Sequence, residues 1–286
     1  MPKPIGPTIA RWQLGKELQR LRTSADVVYD QVAEMLGCSE SKVRKIESGV
    51  VGVARVELLA MLDLYGLDDN AARDALMDLA KQGKQRGWWV GYGRLPNPYT
   101  MYLGLESAAT AVRSFQLAVV PGMLQTEGYA RAVNAATLPG TSEEEVERRV
   151  KVRLARQEQQ LTGEDPPEYW AILDEAAVRR VMGGPAVMRG QLDRLLELGE
   201  LPQVTLQVLP FAHGGHAGTL GAFTVLEFPE DIHSPVVYTE GMVGDVYMES
   251  EADLRRCYLA YSHLSAAALS DKESRKLIKT ISKELT

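Results

Sequence analysis

The stretch Gln-Val-Ala-Glu-Met-Leu-Gly-Cys-Ser-Glu-Ser-Lys-Val-Arg-Lys-Ile-Glu-Ser-Gly, residues 31–49, decides the fold of the first part of this chain. Apolar residues recur at helical spacing up to Gly37, and Val43 and Ile46 resume that spacing after it. Glycine between two helical patterns favours a tight turn. The stretch therefore predicts two short helices joined at Gly37.

The second of these helices is predicted to carry a polar, mostly basic outer face, with Ser39 as its N-cap. Such a helix suits the major groove of DNA, where its side chains reach base edges and phosphates. Together with Tyr29 of the preceding helix, the predicted DNA-contacting residues are Ser39, Glu40, Ser41, Lys42, Arg44 and Lys45. Glu47 is expected to hold the fold instead. The alternative is an αα-hairpin whose outer face is basic by chance.

Composition is that of an ordinary globular protein, with 286 residues, 45% of them apolar and 24% charged. The formal net charge of −6 argues against a protein that coats nucleic acid or an anionic membrane. The charge is uneven, because residues 1–56 carry nine Lys/Arg against six Asp/Glu, and the remainder carries 23 against 32. Basic charge thus accompanies the predicted DNA-binding helix.

The two cysteines, Cys38 and Cys257, lie far apart and have no CxxC spacing, so neither a disulfide framework nor a Cys-ligated zinc site is indicated. The first residues are rich in proline and unlike a signal peptide, and no apolar run approaches the length of a membrane span. We expect a cytoplasmic protein, nucleoid-associated when bound to DNA, without a membrane, metal or cofactor.

The patterns predict several domains: an all-α, five-helix N-terminal domain followed by an α+β domain with a small mixed or antiparallel sheet. The expected domains are 1–83 for DNA binding, 84–100 as an aromatic-rich connection, and 101–286 for sensing, dimerisation or partner binding. Further helices are predicted at 101–115, 124–136, 142–161, 187–198, 252–269 and 272–285. Strands are predicted at 169–173, 205–209, 222–228, 236–239 and 246–248.

Two groups of residues in this second part are candidates for binding a ligand. Aromatic side chains, among them Trp88, Trp89 and Trp170, either line a pocket or form an interdomain core, and we expect the connection to dock on the second domain. The histidines of His213-Gly-Gly-His216 suggest a metal site, but with few other ligands available an ordinary loop is the favoured interpretation.

The chain resembles a known family in both parts. Residues 14–66 resemble an Xre-type, lambda-repressor-like domain. The run Val-Val-Pro-Gly-Met-Leu-Gln-Thr-Glu-Gly-Tyr-Ala-Arg at 119–131, with the segments at 174–179, 183–192 and 209–218, resembles the domain of unknown function that follows this module in actinobacterial, antitoxin-like regulators. The resemblance implies a sequence-specific regulator whose neighbouring gene often encodes a small partner protein.

One departure from the family pattern concerns the start of the first helix of the helix-turn-helix. Relatives usually have a small hydroxyl residue followed by Gln there, whereas this chain has Val28 and Tyr29. Tyr29 is still able to donate a hydrogen bond to a phosphate. The side-chain N-cap is absent unless Asp26 or Asp30 replaces it.

These observations predict a homodimeric, sequence-specific transcriptional regulator that binds a double-stranded DNA operator and receives a small-molecule or small-protein signal. The first alternative is an antitoxin-like protein that sequesters a small partner and regulates its own operon. The second is a DNA-tethered enzyme or metal-binding protein that uses the loop from His213 to His216. We expect no catalytic activity, since no nucleophile-elbow or phosphate-loop motif is present.

Overall fold

The computed structural model describes residues 6–85, 87–93, 95–229 and 233–285, and only the backbone of Asn97. The chain divides into two compact units. The first comprises Met1–Ala108 with Asp231–His233, and the second comprises Ala109–Glu230 with Ser234–Thr286. The predicted division at residues 83 and 100 stays a prediction, and the compact units divide at residue 108.

The first unit is helical, as the sequence predicted. In its described part, the helices are α1 (Pro7–Ser24), α2 (Tyr29–Leu36), α3 (Glu40–Glu47), α4 (Arg55–Leu64), α5 (Asn70–Gln82) and α6 (Asn97–Ala108). Helices α1 to α5 enclose an apolar core whose fully buried members include Leu18, Val32, Val43 and Leu58. Burial of this shared core holds the short helices in place, since helices of eight residues are not stable alone.

Two glycines fix the geometry of the helix-turn-helix. Gly37 ends α2 in the left-handed conformation, with φ of 60°, which glycine adopts without steric cost. Gly15 allows α1 to approach the end of α3, because a Cβ atom there would lie 2.4 Å from the carbonyl oxygen of Glu47. The turn at Gly37 was predicted, and the close approach at Gly15 was not.

The aromatic connection lies in the first unit together with α6, whose residues from 101 onward fall within the predicted second domain. Trp88–Tyr92 form a 3₁₀ turn. Trp89 is buried, and Trp88 Nε1 donates to Ser107 Oγ of α6 at 3.3 Å. Trp89 is thus held by packing, and Trp88 by a hydrogen bond to α6, 19 residues further along the chain.

The second unit is α+β, which confirms the predicted fold class. In its described part, one mixed sheet contains β1 (Ala111–Gln116), β2 (Glu168–Asp174), β3 (Val204–Leu209), β4 (Phe223–Glu227), β5 (Val236–Gly241) and β6 (Gly244–Met248). The helices are α7 (Glu127–Thr137), α8 (Glu143–Leu161), α9 (Glu175–Arg179), α10 (Pro185–Leu198), α11 (Glu251–Ala267) and α12 (Asp271–Glu284).

The sheet has the strand order β3-β2-β1-β4-β5-β6 and is parallel on one side only. Strands β1, β2 and β3 run parallel, and β4, β5 and β6 continue the sheet antiparallel. The carboxyl ends of the three parallel strands therefore lie along one edge of the sheet. None of the helices in the described ranges is long and apolar enough to cross a membrane.

The helix predicted at 101–115 is wrong in its second half. Helix α6 ends at Ala108, and Ala111–Gln116 form β1 in the middle of the sheet. Phe115 and Val112 are almost completely buried there. Pairing with β2 on one side and β4 on the other outweighs the local helical spacing.

Candidate nucleic-acid interface

Helix α3 begins as the sequence predicted, at the N-cap residue Ser39. The hydroxyl oxygen of Ser39 accepts a hydrogen bond from the backbone N–H of Lys42 at 3.3 Å. Val43 and Ile46 face the core and are buried. The exposed outer face carries four of the predicted contact residues, Glu40, Ser41, Arg44 and Lys45.

A buried ion pair fixes the carboxyl end of α3 against α1. Arg22 Nε donates to Glu47 Oε1 at 2.7 Å, and Arg22 Nη2 donates to Glu47 Oε2 at 3.2 Å. Arg22 Nη1 also donates to the carbonyl oxygen of Val27 at 2.9 Å. Both side chains are buried, so a bidentate partner is needed to offset their desolvation. This pair confirms that Glu47 holds the fold.

Tyr29 lies between two guanidinium groups. The guanidinium carbon of Arg22 lies 3.9 Å from the centroid of the Tyr29 ring, and that of Arg44 also lies 3.9 Å from it. Stacking of a cation on an aromatic face is favourable because of the ring quadrupole. Tyr29 therefore connects the buried Arg22 of α1 to the exposed Arg44 of α3.

The start of α2 is held by Gln31 in place of a small hydroxyl residue. Val28 occupies the N-cap position and gives no side-chain hydrogen bond, so neither Asp26 nor Asp30 takes that position. Gln31 Oε1 accepts from the backbone N–H of Val28 at 2.9 Å, which is half of a capping box. The departure from the family pattern is thus compensated within the same turn.

Lys42 forms an ion pair within the unit. Its Nζ donates to Glu57 Oε1 in the first turn of α4, and Glu57 Oε2 accepts from the backbone N–H of Ala54 at 3.0 Å. The hydrogen bond from Lys42 lowers the pKa of Glu57, and the same bond raises the pKa of Lys42. A nucleic-acid phosphate therefore has to displace a carboxylate to bind Lys42.

Arg44 and Lys45 differ in whether they have an ion-pair partner. Arg44 Nη2 donates to Glu40 Oε2, one helical turn earlier, at 3.1 Å. Lys45 is exposed and has no ion-pair partner in the described part of the chain. Ser41 is exposed one turn before Lys45, on the same side of α3. Lys45 is therefore the cation of α3 most directly available to DNA.

Several residues that organise this face were missed from the sequence. They are Arg22, Gln31 and Glu57. The spacing of Gln31 from Val28 is a capping-box signal that was available in the sequence. The partners of Lys42 and Glu47 lie 15 and 25 residues away, and no local pattern indicates them.

The structure divides the predicted ligand-binding residues between the two units. Trp88 and Trp89 lie in the first unit, whereas Trp170, His213 and His216 lie in the second. Trp170 Nε1 donates to Gln207 Oε1 at 2.8 Å, so that indole is bound within the sheet. His213 and His216 line a common cleft. Within the described ranges no three His, Cys, Asp or Glu side chains are placed to hold a metal ion.

Comparison with known proteins gives two matches. A family model of helix-turn-helix domains matches residues 13–76, which include α2 and α3. A model described as a domain of unknown function, DUF5753, matches residues 99–280. No curated protein and no solved structure matches the chain.

Proposed function

Because the chain belongs to the DUF5753 family and carries a helix-turn-helix domain before that region, we propose that it is a sequence-specific transcriptional regulator. In this proposal the chain binds a double-stranded operator as a homodimer, and its second unit receives a small-molecule or small-protein signal. The proposal includes an Xre-type and antitoxin-like relationship and a cytoplasmic location.

The single observation that carries this proposal is the outer face of α3. A capped helix with Ser41, Arg44 and Lys45 on its exposed side, braced by the buried pair of Arg22 and Glu47, has donors for base edges and phosphates on a rigid support. The face contains no catalytic grouping, and the proposal assigns the chain no enzymatic activity.

The homodimer follows from the small number of contacts that one such helix offers. Glu57 and Glu40 already pair with two of the three cations of α3, so one domain offers little net charge to phosphates. Two copies on a pair of half-sites, one helical turn of DNA apart or a multiple of it, supply the missing contacts.

The test is selection of binding sites from random-sequence DNA by the full chain, together with its mass in solution. The proposal predicts enriched sequences with two inverted half-sites and a dimeric mass by light scattering. Enrichment of no sequence, or of a single half-site by a monomer, contradicts it. A small protein that stays bound in stoichiometric amount at high salt favours the antitoxin-like alternative.

A further inference from the structure

A cleft in the second unit lies where the topology brings strand ends together. Asp174 is the last residue of β2, and the loop that carries His213 and His216 follows β3, which runs parallel to β2. Both therefore lie at the carboxyl edge of the parallel strands. In open α/β sheets this edge is the usual place for a ligand, because loops there diverge and leave a crevice.

The cleft has a volume of about 660 Å³, and its lining is unusual in composition. Its described lining residues are His213, Gly215, His216, Ala217, His263, Ala266 and Ala267. Three of the four histidines of the chain thus meet in one cleft, and none of these lining residues is a carboxylate. In a chain with a net charge of −6, this lining offers N–H donors without a carboxylate among its residues.

His216 is the most buried of the three histidines that line the cleft. Its side chain is 10% exposed, its Nε2 lies 3.4 Å from Asp174 Oδ2, and its ring packs edge-on against Phe115. Its Nδ1 is buried and has no hydrogen-bond partner in the described part of the chain. An unpaired buried polar atom carries a free-energy cost.

The loop that presents these imidazoles is held in place. Glu175 Oε2 accepts from the backbone N–H of Phe211 at 2.8 Å, which ties the residue after β2 to the loop after β3. The backbone N–H of His216 donates to Thr219 Oγ1 at 3.2 Å, and that hydroxyl donates back to the carbonyl oxygen of His216 at 2.7 Å. The cleft is therefore preorganised by bonds of its own loop.

We propose that this cleft binds the phosphate group of a small phosphorylated metabolite. The imidazoles of His213 and His263 donate to phosphate oxygens. His216 lies behind them, with its Nε2 3.4 Å from Asp174 Oδ2. The volume lies in the range of small-molecule pockets and exceeds what a lone phosphate fills.

This inference rests on the proposed function only in calling the ligand the signal that the second unit receives. Binding itself is a property of the cleft. The two statements are therefore tested separately on the same protein.

The test is NMR of the histidine rings in the full chain, titrated with inorganic phosphate against chloride at equal ionic strength. The cleft predicts saturable shifts of the rings of His213, His216 and His263, with the ring of His233, in the first unit, unchanged. Ribose 5-phosphate is expected to give the same three shifts, and ribose none. Equal response of all four rings, no saturation, or a response to zinc but not to phosphate overturns the inference.

Variants of exposed residues distinguish phosphate binding in the cleft from non-specific attraction of phosphate to positive charge. His213→Ala and His263→Ala are each expected to weaken phosphate binding roughly tenfold, the value of one hydrogen bond to a charged group. Lys276→Ala, on an exposed lysine-rich face of α12, serves as the control and is expected to leave phosphate affinity unchanged. A loss in the Lys276 variant equal to that in the histidine variants contradicts the assignment.

DNA binding is measured on the same samples. If DNA binds and the rings do not respond to phosphate, this inference fails and the proposed function stands. If the three rings respond and no DNA sequence is selected, the proposed function fails and the cleft stands.

Discussion

Helix α3 and the histidine cleft both collect hydrogen-bond donors, but they balance charge differently. On α3 two cations already have a carboxylate partner, Lys42 with Glu57 and Arg44 with Glu40. In the cleft no described lining residue is a carboxylate, and Asp174 faces His216 from outside that lining. DNA phosphates must therefore displace the carboxylates that already pair with Lys42 and Arg44, and a poorly fitting DNA sequence does not offset that cost. An anion enters the cleft without displacing an ion pair of the lining.

The largest expected effect comes from breaking the buried pair behind α3. Glu47→Ala leaves the guanidinium of Arg22 buried without its partner and is expected to lower the free energy of unfolding by about 3–5 kcal/mol. Glu40→Ala, which removes an exposed partner of Arg44, is expected to cost no more than about 0.5 kcal/mol. Urea unfolding followed by circular dichroism measures both. Similar losses for the two variants would contradict the distinction between bracing and surface carboxylates.

A smaller effect is expected at Tyr29. Tyr29→Ala removes the ring between Arg22 and Arg44 and is expected to lower the free energy of unfolding by roughly 1–2 kcal/mol. Tyr29→Phe keeps the ring and is expected to retain that stability. If the Tyr29→Phe variant unfolds like the parent but binds selected DNA more weakly, the hydroxyl contacts a phosphate. Equal destabilisation by both substitutions would show that the hydroxyl group of Tyr29, and not its stacked ring, provides the stability.

The smallest effect is expected at Glu57, where stability and DNA affinity move in opposite directions. Glu57→Gln releases Lys42 and is expected to raise DNA affinity a few-fold and steepen its salt dependence by about one phosphate contact. Unfolding stability at pH 7 is expected to fall by no more than ~1 kcal/mol, since the pair is partly exposed. Unchanged affinity and salt dependence would mean that Lys42 does not reach DNA.

The pH dependence of this pair has a definite sign. Lys42 lowers the pKa of Glu57 in the folded chain, so the pair contributes stability above the unfolded carboxyl pKa of about 4.3 and loses it as the pH falls through the lower folded value. The difference in unfolding free energy between the parent and Glu57→Gln is therefore expected to shrink from pH 7 to pH 3. A difference that grows on acidification would contradict the ion pair.

What could be predicted from the sequence differs between the two regions for a physical reason. Spacing and capping act within one helix, so the turn at Gly37 and the cap at Ser39 were readable from neighbouring residues. The cleft lies between the loop after β3 and His263 of α11, with Asp174 against His216, and only the tertiary fold brings these residues together. His263 was not predicted as a site residue, because it lies on a helix with no local signal of chemistry.

The same reason explains the error at β1. Val112 and Phe115 are three residues apart, which is helical spacing, and they are both buried in β1 only because both faces of the sheet are covered there. Pairing with β2 and β4 decides the structure. A prediction without β1 lacks a strand from the middle of the sheet. The positions of the strand ends cannot be derived from such a prediction. For the aromatic connection, Trp88 and Trp89 signal burial without indicating the partner, and only the structure shows the hydrogen bond to Ser107.

The central claim is that the outer face of α3 binds DNA, and one measurement tests it most directly. The dissociation constant for DNA selected by the parent is measured for the Arg44→Ala/Lys45→Ala double variant and for Lys81→Ala, an exposed lysine of α5. Affinity is expected to fall by one to two orders of magnitude in the double variant and to stay unchanged in the Lys81 variant. Equal affinity of the double variant and the parent, with both folded, would contradict the assignment of α3 as the DNA-binding helix.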